Sequence, residues 1–294
     1  MSGRQREEFL APLHQASRYP QGPREIDAAH LQAIDQHAGI RADVAILSMG
    51  NSAEGHSAAL APDIDDRIGI HVATRVANIT GARYLGHCPY ATDRLGGLAK
   101  VWSPACLSVD EFITKTTAYL KFILGTVPQP KQLWLLSGHG GNGAIEPMLP
   151  AIASELGLHS CHYALALIAP PALPTLTAQH ASAMEHAVGK TLGPGCFNQR
   201  AFDGFNRDLA HDFEAATKAQ PAAGGMAGYY IYGDARFDAI RNRYPGVKPA
   251  IAELVNTRSL RFNDSDGVAA LQHTVTTLAT RVGEHYEATA HAIP

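Results

Sequence analysis

The sequence predicts an α/β fold, with a mainly parallel sheet and helices on both of its faces. Three observations lead there. Apolar runs of strand length alternate with stretches of helical spacing along the 294-residue chain. The runs are short and bounded by turn residues, as buried strands are. Two clusters of chemically versatile side chains follow directly on two of these strands, where open α/β sheets bind their ligands.

Taken in order, Val44–Met49 reads as a buried strand. Asp66–Thr80 follows with helical spacing, placing Ile68, Val72, Val76 and Ile79 on one face. Arg83–Leu85 reads as a further strand. Ser108-Val-Asp-Glu111 has the form of a capping box and opens a helix to about Gly125. Leu133–Leu136 is the next strand, followed by a helix over Ala144–Leu156. His162–Ala169 is another strand, ended by Pro170, Pro171 and Pro174. Helices are expected over Ala178–Thr191 and Asn206–Lys218. Gly224-Gly225-Met226-Ala227-Gly228 is glycine-rich, and Asp264 or Ser265 caps a last helix to about Glu287. No repeat or linker interrupts this pattern, so residues 1–294 read as a single domain, with 1–40 as an N-terminal extension.

The totals narrow the class. A hydrophobic share of 46% and a formal charge of −3 are ordinary for a globular protein and give nucleic acid no basic surface. Cys88, Cys106, Cys161 and Cys196 are scattered without a CxxC pair, which favours free thiols in a reducing compartment. The N-terminus lacks an apolar signal core, and no apolar run reaches membrane-spanning length. The expectation is a cytoplasmic protein with no membrane or nucleic-acid partner.

The most informative stretch is Ser137-Gly138-His139-Gly140-Gly141-Asn142. Glycines surrender chain entropy and pack nothing. They make sense where the backbone must approach something closely and the imidazole must point at it. A P-loop reading fails, because the Lys-Ser/Thr end is missing. Upstream, Glu54 and His56 are two apart and share a side in extended backbone. Asp65 follows at a helix start, where its two oxygens could each take a cation. Nitrogen and oxygen donors without sulfur suit zinc, manganese or iron. Each residue also has a plainer reading: Glu54 and Asp63 as solvated charges, Asp65 or Asp66 as a helix cap, His56 as a surface histidine.

At this point the residues resemble a family. Glu54-Gly-His56-Ser-Ala-Ala-Leu60-Ala-Pro62-Asp63-Ile-Asp65 is similar to the creatininase-family signature E-x-H-G-x-H-L-P-x-x-T-D. Ser137-Gly-His139-Gly-Gly-Asn142 is similar to its N-G-H-G-G-N signature. His180-Ala-Ser-Ala-Met-Glu185 resembles H-A-G-x-x-E-T-S, and Tyr232-Gly-Asp234 resembles a C-terminal G-D-P. The resemblance implies a three-layer α/β/α creatininase-like fold and a metal-dependent amidohydrolase, often a hexamer, so a homo-oligomer is expected. It implies Glu54, His56, Asp65 and His139 as ligands, with Asp65 bridging two ions. Creatininase proper carries a Glu two residues after the third-loop His. Gly141 stands there instead, which leaves Glu185 as the carboxylate for a second ion and His180 as acid/base. Ala59, Ile64 and His186-Ala187 depart from the signatures and bear on the substrate. His180 either precedes the helix that carries Glu185, or only one of the two faces the site.

The expected reaction is hydrolysis of a small cyclic or formylated amide by a metal-activated water. One or two divalent ions per subunit are expected, zinc first, with manganese or iron as alternatives. Backbone N–H groups near Gly140 and Gly141 would hold the oxyanion, and His180 would protonate the leaving nitrogen. The other readings are a ring C–C or C–O hydrolase acting on a sugar-like ketone or lactone, and a non-catalytic metal-binding homologue. Trp102, Trp134, Tyr229, Tyr230 and Tyr232 are candidate pocket aromatics, each with core packing as the alternative. Gly224–Gly233 is a candidate mobile wall.

Overall fold

The computed structural model describes residues 43–171, 180–233, 235, 237 and 247–290. The expected extension 1–40, the start of the Ala178 helix and Asp234 lie outside them. The chain divides into two compact units. One comprises the chain up to Ala53, Asp65–Ala166 and the part from Thr274; the other comprises Glu54–Ile64 and Leu167–His273.

The first unit holds the sheet. Strands β1 (Val44–Met49), β2 (Arg83–Cys88), β3 (Gln132–Ser137) and β4 (Ser160–Leu165) lie in the order β2-β1-β3-β4, and every pairing is parallel. Parallel strands need long crossovers, and helices supply them. Helix α1 (Ile64–Thr80) joins β1 to β2, α2 (Val109–Leu124) leads to β3, and α3 (Leu149–Glu155) leads to β4. On one face of the sheet Ala45, Leu47, Met49, Leu133 and Leu135 pack with Phe112 and Leu120 of α2 and Ile152 of α3. On the other, the Trp134 ring stacks on His162 of β4 with centroids 4.5 Å apart. His285 of α9 (Asp264–Ala290) lies 5.4 Å from the same indole. Helices thus cover both faces, as the expected layering requires.

Local chemistry sets the element ends. Ser108 and Glu111 form the expected capping box on α2, and Gly125 closes it. Ile68, Val72 and Val76 of α1 are buried, but Ile79 is 64% exposed, so the buried stripe ends a turn earlier than its spacing suggests. The helix expected over Ala144–Leu156 is instead a 3₁₀ segment, Gly140–Met148, followed by α3. Pro147 sits inside the 3₁₀ segment and lacks the N–H that an α-helix would use there.

The second unit is helical: α4 (Ala183–Leu192), α5 (Gln199–His211), α6 (Phe213–Ala219), α7 (Ala223–Tyr232) and α8 (Val247–Thr257), with the first turns of α9. The single helix expected over Asn206–Lys218 breaks at Asp212, whose carboxylate accepts from Ala215 N and caps α6. Leu60 bridges Phe197 antiparallel, and Phe197, Phe202 and Phe262 form an aromatic core. Gly224–Gly228 of the glycine-rich stretch are buried. Gly224, Gly225 and Met226 all take left-handed backbone, at φ 66°, 73° and 65°. No helix among the described residues is long and apolar enough to cross a membrane.

Candidate metal centre

In the sheet unit, the chain leaves β1 towards β2 on one side, while β3 lies on the other. The carboxyl ends of β1 and β3 are therefore the point where an open α/β sheet forms its binding crevice. Three glycines seat the first two turns of α1 there. A Cβ on Gly138 would stand 2.0 Å from Asp65 O, one on Gly50 would stand 2.5 Å from Asp66 N, and one on Gly69 would stand 2.3 Å from Met49 O. The glycine–histidine loop is thus glycine because backbone meets backbone. Gly141 has the same constraint: its Cβ would stand 2.5 Å from His139 Nε2 and from Thr92 O. Gly140, by contrast, faces open space.

This packing brings Asp65 and His139 together. His139 Nδ1 lies 3.1 Å from Asp65 Oδ2, while Nε2 donates to Thr92 O at 2.9 Å. Both residues are buried. Asn142 ties the loop down: it donates to Gly50 O at 2.9 Å and to Ser137 Oγ at 3.2 Å, and accepts from Thr92 N at 3.0 Å. Asp93 stands beside His139. Burial raises its carboxyl above the usual range, and the imidazole opposes that rise. Trp102 is buried and hydrogen-bonds the same carboxylate.

In the second unit, Glu54, His56 and His180 present donor atoms within 4.8 Å of one another. The Glu54–Ile64 loop is closed by Glu54 N donating to Pro62 O at 3.0 Å, and pinned by Asn198 N donating to Ala59 O at 2.8 Å. His180 precedes α4, so its spacing from Glu185 needs no common helix face. His180 Nδ1 lies 3.2 Å from Glu54 Oε1, and Nε2 donates to Gly55 O at 2.9 Å. His56 Nε2 lies 3.6 Å from Glu185 Oε2, and Nδ1 meets Glu54 O at 3.2 Å. The His56 and His180 rings stack, with centroids 4.2 Å apart. Glu185 Oε2 also accepts from Ala181 N at 2.5 Å, and Ala181 is itself left-handed, at φ 49°. The carbonyl of Ala181 accepts from Gly224 N at 2.8 Å, so the left-handed run of α7 braces the His180–Glu185 turn. His186, where the family signature has T-S, holds the neighbouring loop through Ser57 Oγ at 2.9 Å. Burial keeps its imidazole neutral, down to about 4.

One pattern runs through all three histidines. Each commits one ring nitrogen to a main-chain carbonyl and directs the other at a carboxylate. Metal-binding histidines do this, because the second hydrogen bond fixes tautomer and ring direction. The separations suit it too. Two donors on one tetrahedral ion, at ~2.0–2.1 Å each, lie about 3.3 Å apart, against 3.1, 3.2 and 3.6 Å here. The nitrogen and oxygen donors of Glu54, His56 and His180 fit a divalent ion, and the sheet unit adds the Asp65–His139 pair. Among the candidate aromatics, Trp134 is core on the sheet, Tyr229 stacks on Phe237 at 5.3 Å, Tyr230 is buried, and Tyr232 lies 5.0 Å beneath Lys218 Nζ. Sequence reasoning missed Asp93 and the carbonyls of Gly55 and Thr92. Only Gly55, set between Glu54 and His56, left a visible trace.

Comparison with known proteins bears on this arrangement. A crystal structure of creatinine amidohydrolase (creatininase) matches with a TM-score of 0.54 at 16% identity, covering 86% of this chain and 94% of that one. This is the creatininase fold. A creatininase variant complexed with creatine also matches at a TM-score of 0.54, with 17% identity, over 88% of this chain and 98% of that one. In sequence, the 2-amino-5-formylamino-6-ribosylaminopyrimidin-4(3H)-one 5'-monophosphate deformylase of Methanococcus maripaludis is 28% identical over 115 residues, 38% of this chain and 48% of that protein. The corresponding deformylase of Methanosphaera stadtmanae is 27% identical over 132 residues, 45% of this chain and 53% of that protein. The chain spans about half the length of the curated relatives it matches. No protein-family model matches it. The resemblance to the creatininase family read from the motifs is thus supported in fold and in sequence.

Proposed function

We propose that this protein is a metal-dependent amidohydrolase that cleaves a small formylated or cyclic amide. Glu54, His56, Asp65, His139 and Glu185 would hold one or two divalent ions, zinc first, with manganese or iron as alternatives. The observation that carries the reading is the pattern shared by His56 and His139, with one ring nitrogen on a carbonyl and the other on a carboxylate. Deformylase relatives favour a formyl amide over a ring ketone or lactone.

A bound divalent ion supplies a water acidic enough to ionise near neutral pH and polarises the scissile carbonyl. The chain's own groups do the rest. His56 and His139 are buried and held in fixed tautomers, which suits ligands. His180, at 16% side-chain exposure, is the most accessible of the three and can deliver a proton to the leaving nitrogen. Gly140 and Gly141 open a 3₁₀ segment whose first N–H groups lack partners within it, a fit for developing negative charge. Four buried free cysteines support a reducing, cytoplasmic setting, and a homo-oligomer rests on the family resemblance.

The test is metal analysis of the purified protein, paired with formate release from formamides before and after chelation. The expected result is stoichiometric divalent metal, with activity lost on chelation and restored by zinc or manganese. Absence of bound metal together with no metal-restored hydrolysis would overturn the proposal.

A further inference from the structure

Beneath the Asp65–His139 pair, the sheet unit buries a second line of polar groups that the proposed reaction does not use. Tyr84 Oη lies 2.7 Å from Ser48 Oγ, and Ser48 Oγ lies 3.0 Å from His87 Nδ1. His87 Nε2 lies 3.1 Å from Asp66 Oδ1 without forming a hydrogen bond to it. Ser48 is fully buried, and Tyr84, His87 and Asp66 are within 6% of it. Burial also pushes the Tyr84 hydroxyl well above its usual range, so it remains a donor.

The order Ser, His, Asp is that of a hydrolase triad, yet nucleophilic chemistry is excluded here. Ser48 lies inside β1, has no exposed surface, and its hydroxyl is also within 3.1 Å of Gly86 O. A buried polar line is expensive unless it fixes something. What it reaches is the first turn of α1: Asp66 follows Asp65 directly, and Gly50 touches the Asp66 backbone. Tyr119 Oη donates to His87 O at 2.8 Å, which anchors the histidine from α2.

We infer that His87 is a positioning residue: through Asp66 it fixes the first turn of α1 and so aims the Asp65 carboxylate at His139. The inference rests on the metal reading of Asp65 and His139 proposed above.

The experiment compares the full-length protein with His87→Ala, Asp66→Asn and a control, Leu120→Ala, which empties the opposite face of the sheet. Zinc affinity is measured by competition with a chelator, kcat and KM on a formamide are measured separately, and amide hydrogen exchange at residues 65–69 is followed in metal-free protein. The expected result is a zinc affinity lowered by ~10–100-fold in His87→Ala. It comes with a fall in kcat, little change in KM, and faster exchange at 65–69. Leu120→Ala should lose stability while keeping zinc affinity. Unchanged affinity and exchange in His87→Ala, or an equal loss in Leu120→Ala, would overturn the inference. If the unaltered protein binds no zinc yet exchange still rises in His87→Ala, the positioning role stands and the metal reading fails.

Discussion

Replacing Gly138 by alanine tests the site's construction directly. Gly138 is not among the residues with positive φ, so alanine can adopt its backbone and the effect is purely steric. The added Cβ would stand 2.0 Å from the Asp65 carbonyl oxygen, where ordinary contact begins at 3.4 Å. The loop and the helix turn must therefore part by about 1.4 Å to reach normal van der Waals separation. Overpacking of this kind costs ~1–3 kcal/mol, which lowers the melting midpoint by ~2–4 °C per kcal/mol in a large domain. The same displacement moves Asp65 away from His139, and misplacement by ~1 Å can cost ~10²-fold in rate. Gly140→Ala, two residues on, adds its Cβ to open space and should stay within ~0.5 kcal/mol of the parent. Thermal melts and formamide hydrolysis on both variants decide the matter. Equal behaviour of the two would refute the claim that Gly138 is glycine because of close approach to Asp65.

Other outcomes follow from the same geometry. His139→Ala removes the imidazole paired with Asp65 and should abolish stoichiometric metal retention, read by elemental analysis after desalting. His162 is held neutral by burial, with His285 adding to the effect, and its pKa falls to about 4. The unfolded chain takes up that proton near pH 6.5 while the folded one resists, so stability is full above that pH and declines as pH falls towards 4. His162→Gln should flatten urea-denaturation stability across that window. Ser108→Ala breaks the capping box on α2 and should cost ~1 kcal/mol in a urea melt, leaving hydrolysis unchanged.

Much of the sheet was legible in the sequence because its strands are buried runs with sharp ends. Val44–Met49 is bounded in the structure as its apolar run suggests, and the Ser108–Glu111 box is present atom for atom. Asp65 and His139 were readable as partners because both follow strands at their carboxyl ends. The remainder was hidden for identifiable reasons. Periodicity cannot tell that Ile79 lies past the packed stripe. Helical spacing survives a proline, so the 3₁₀ geometry around Pro147 did not show. A glycine's presence reveals permitted freedom but not the conformer used, so the left-handed backbone at Gly224–Met226 did not show. The carbonyls of Thr92 and Gly55, which orient two of the histidines, are main-chain groups common to every residue type.

Ala181 has a consequence of its own. A methyl-bearing residue in left-handed backbone is held about 1 kcal/mol above its relaxed state, and here two hydrogen bonds, to Glu185 and from Gly224, keep it there. Glycine at that position would relax the bend and could raise the midpoint of unfolding, while letting the imidazole and carboxylate on either side wander. Thermal robustness and a fixed site geometry would then pull in opposite directions at one small side chain, and selection for heat tolerance alone would erode the site from this corner.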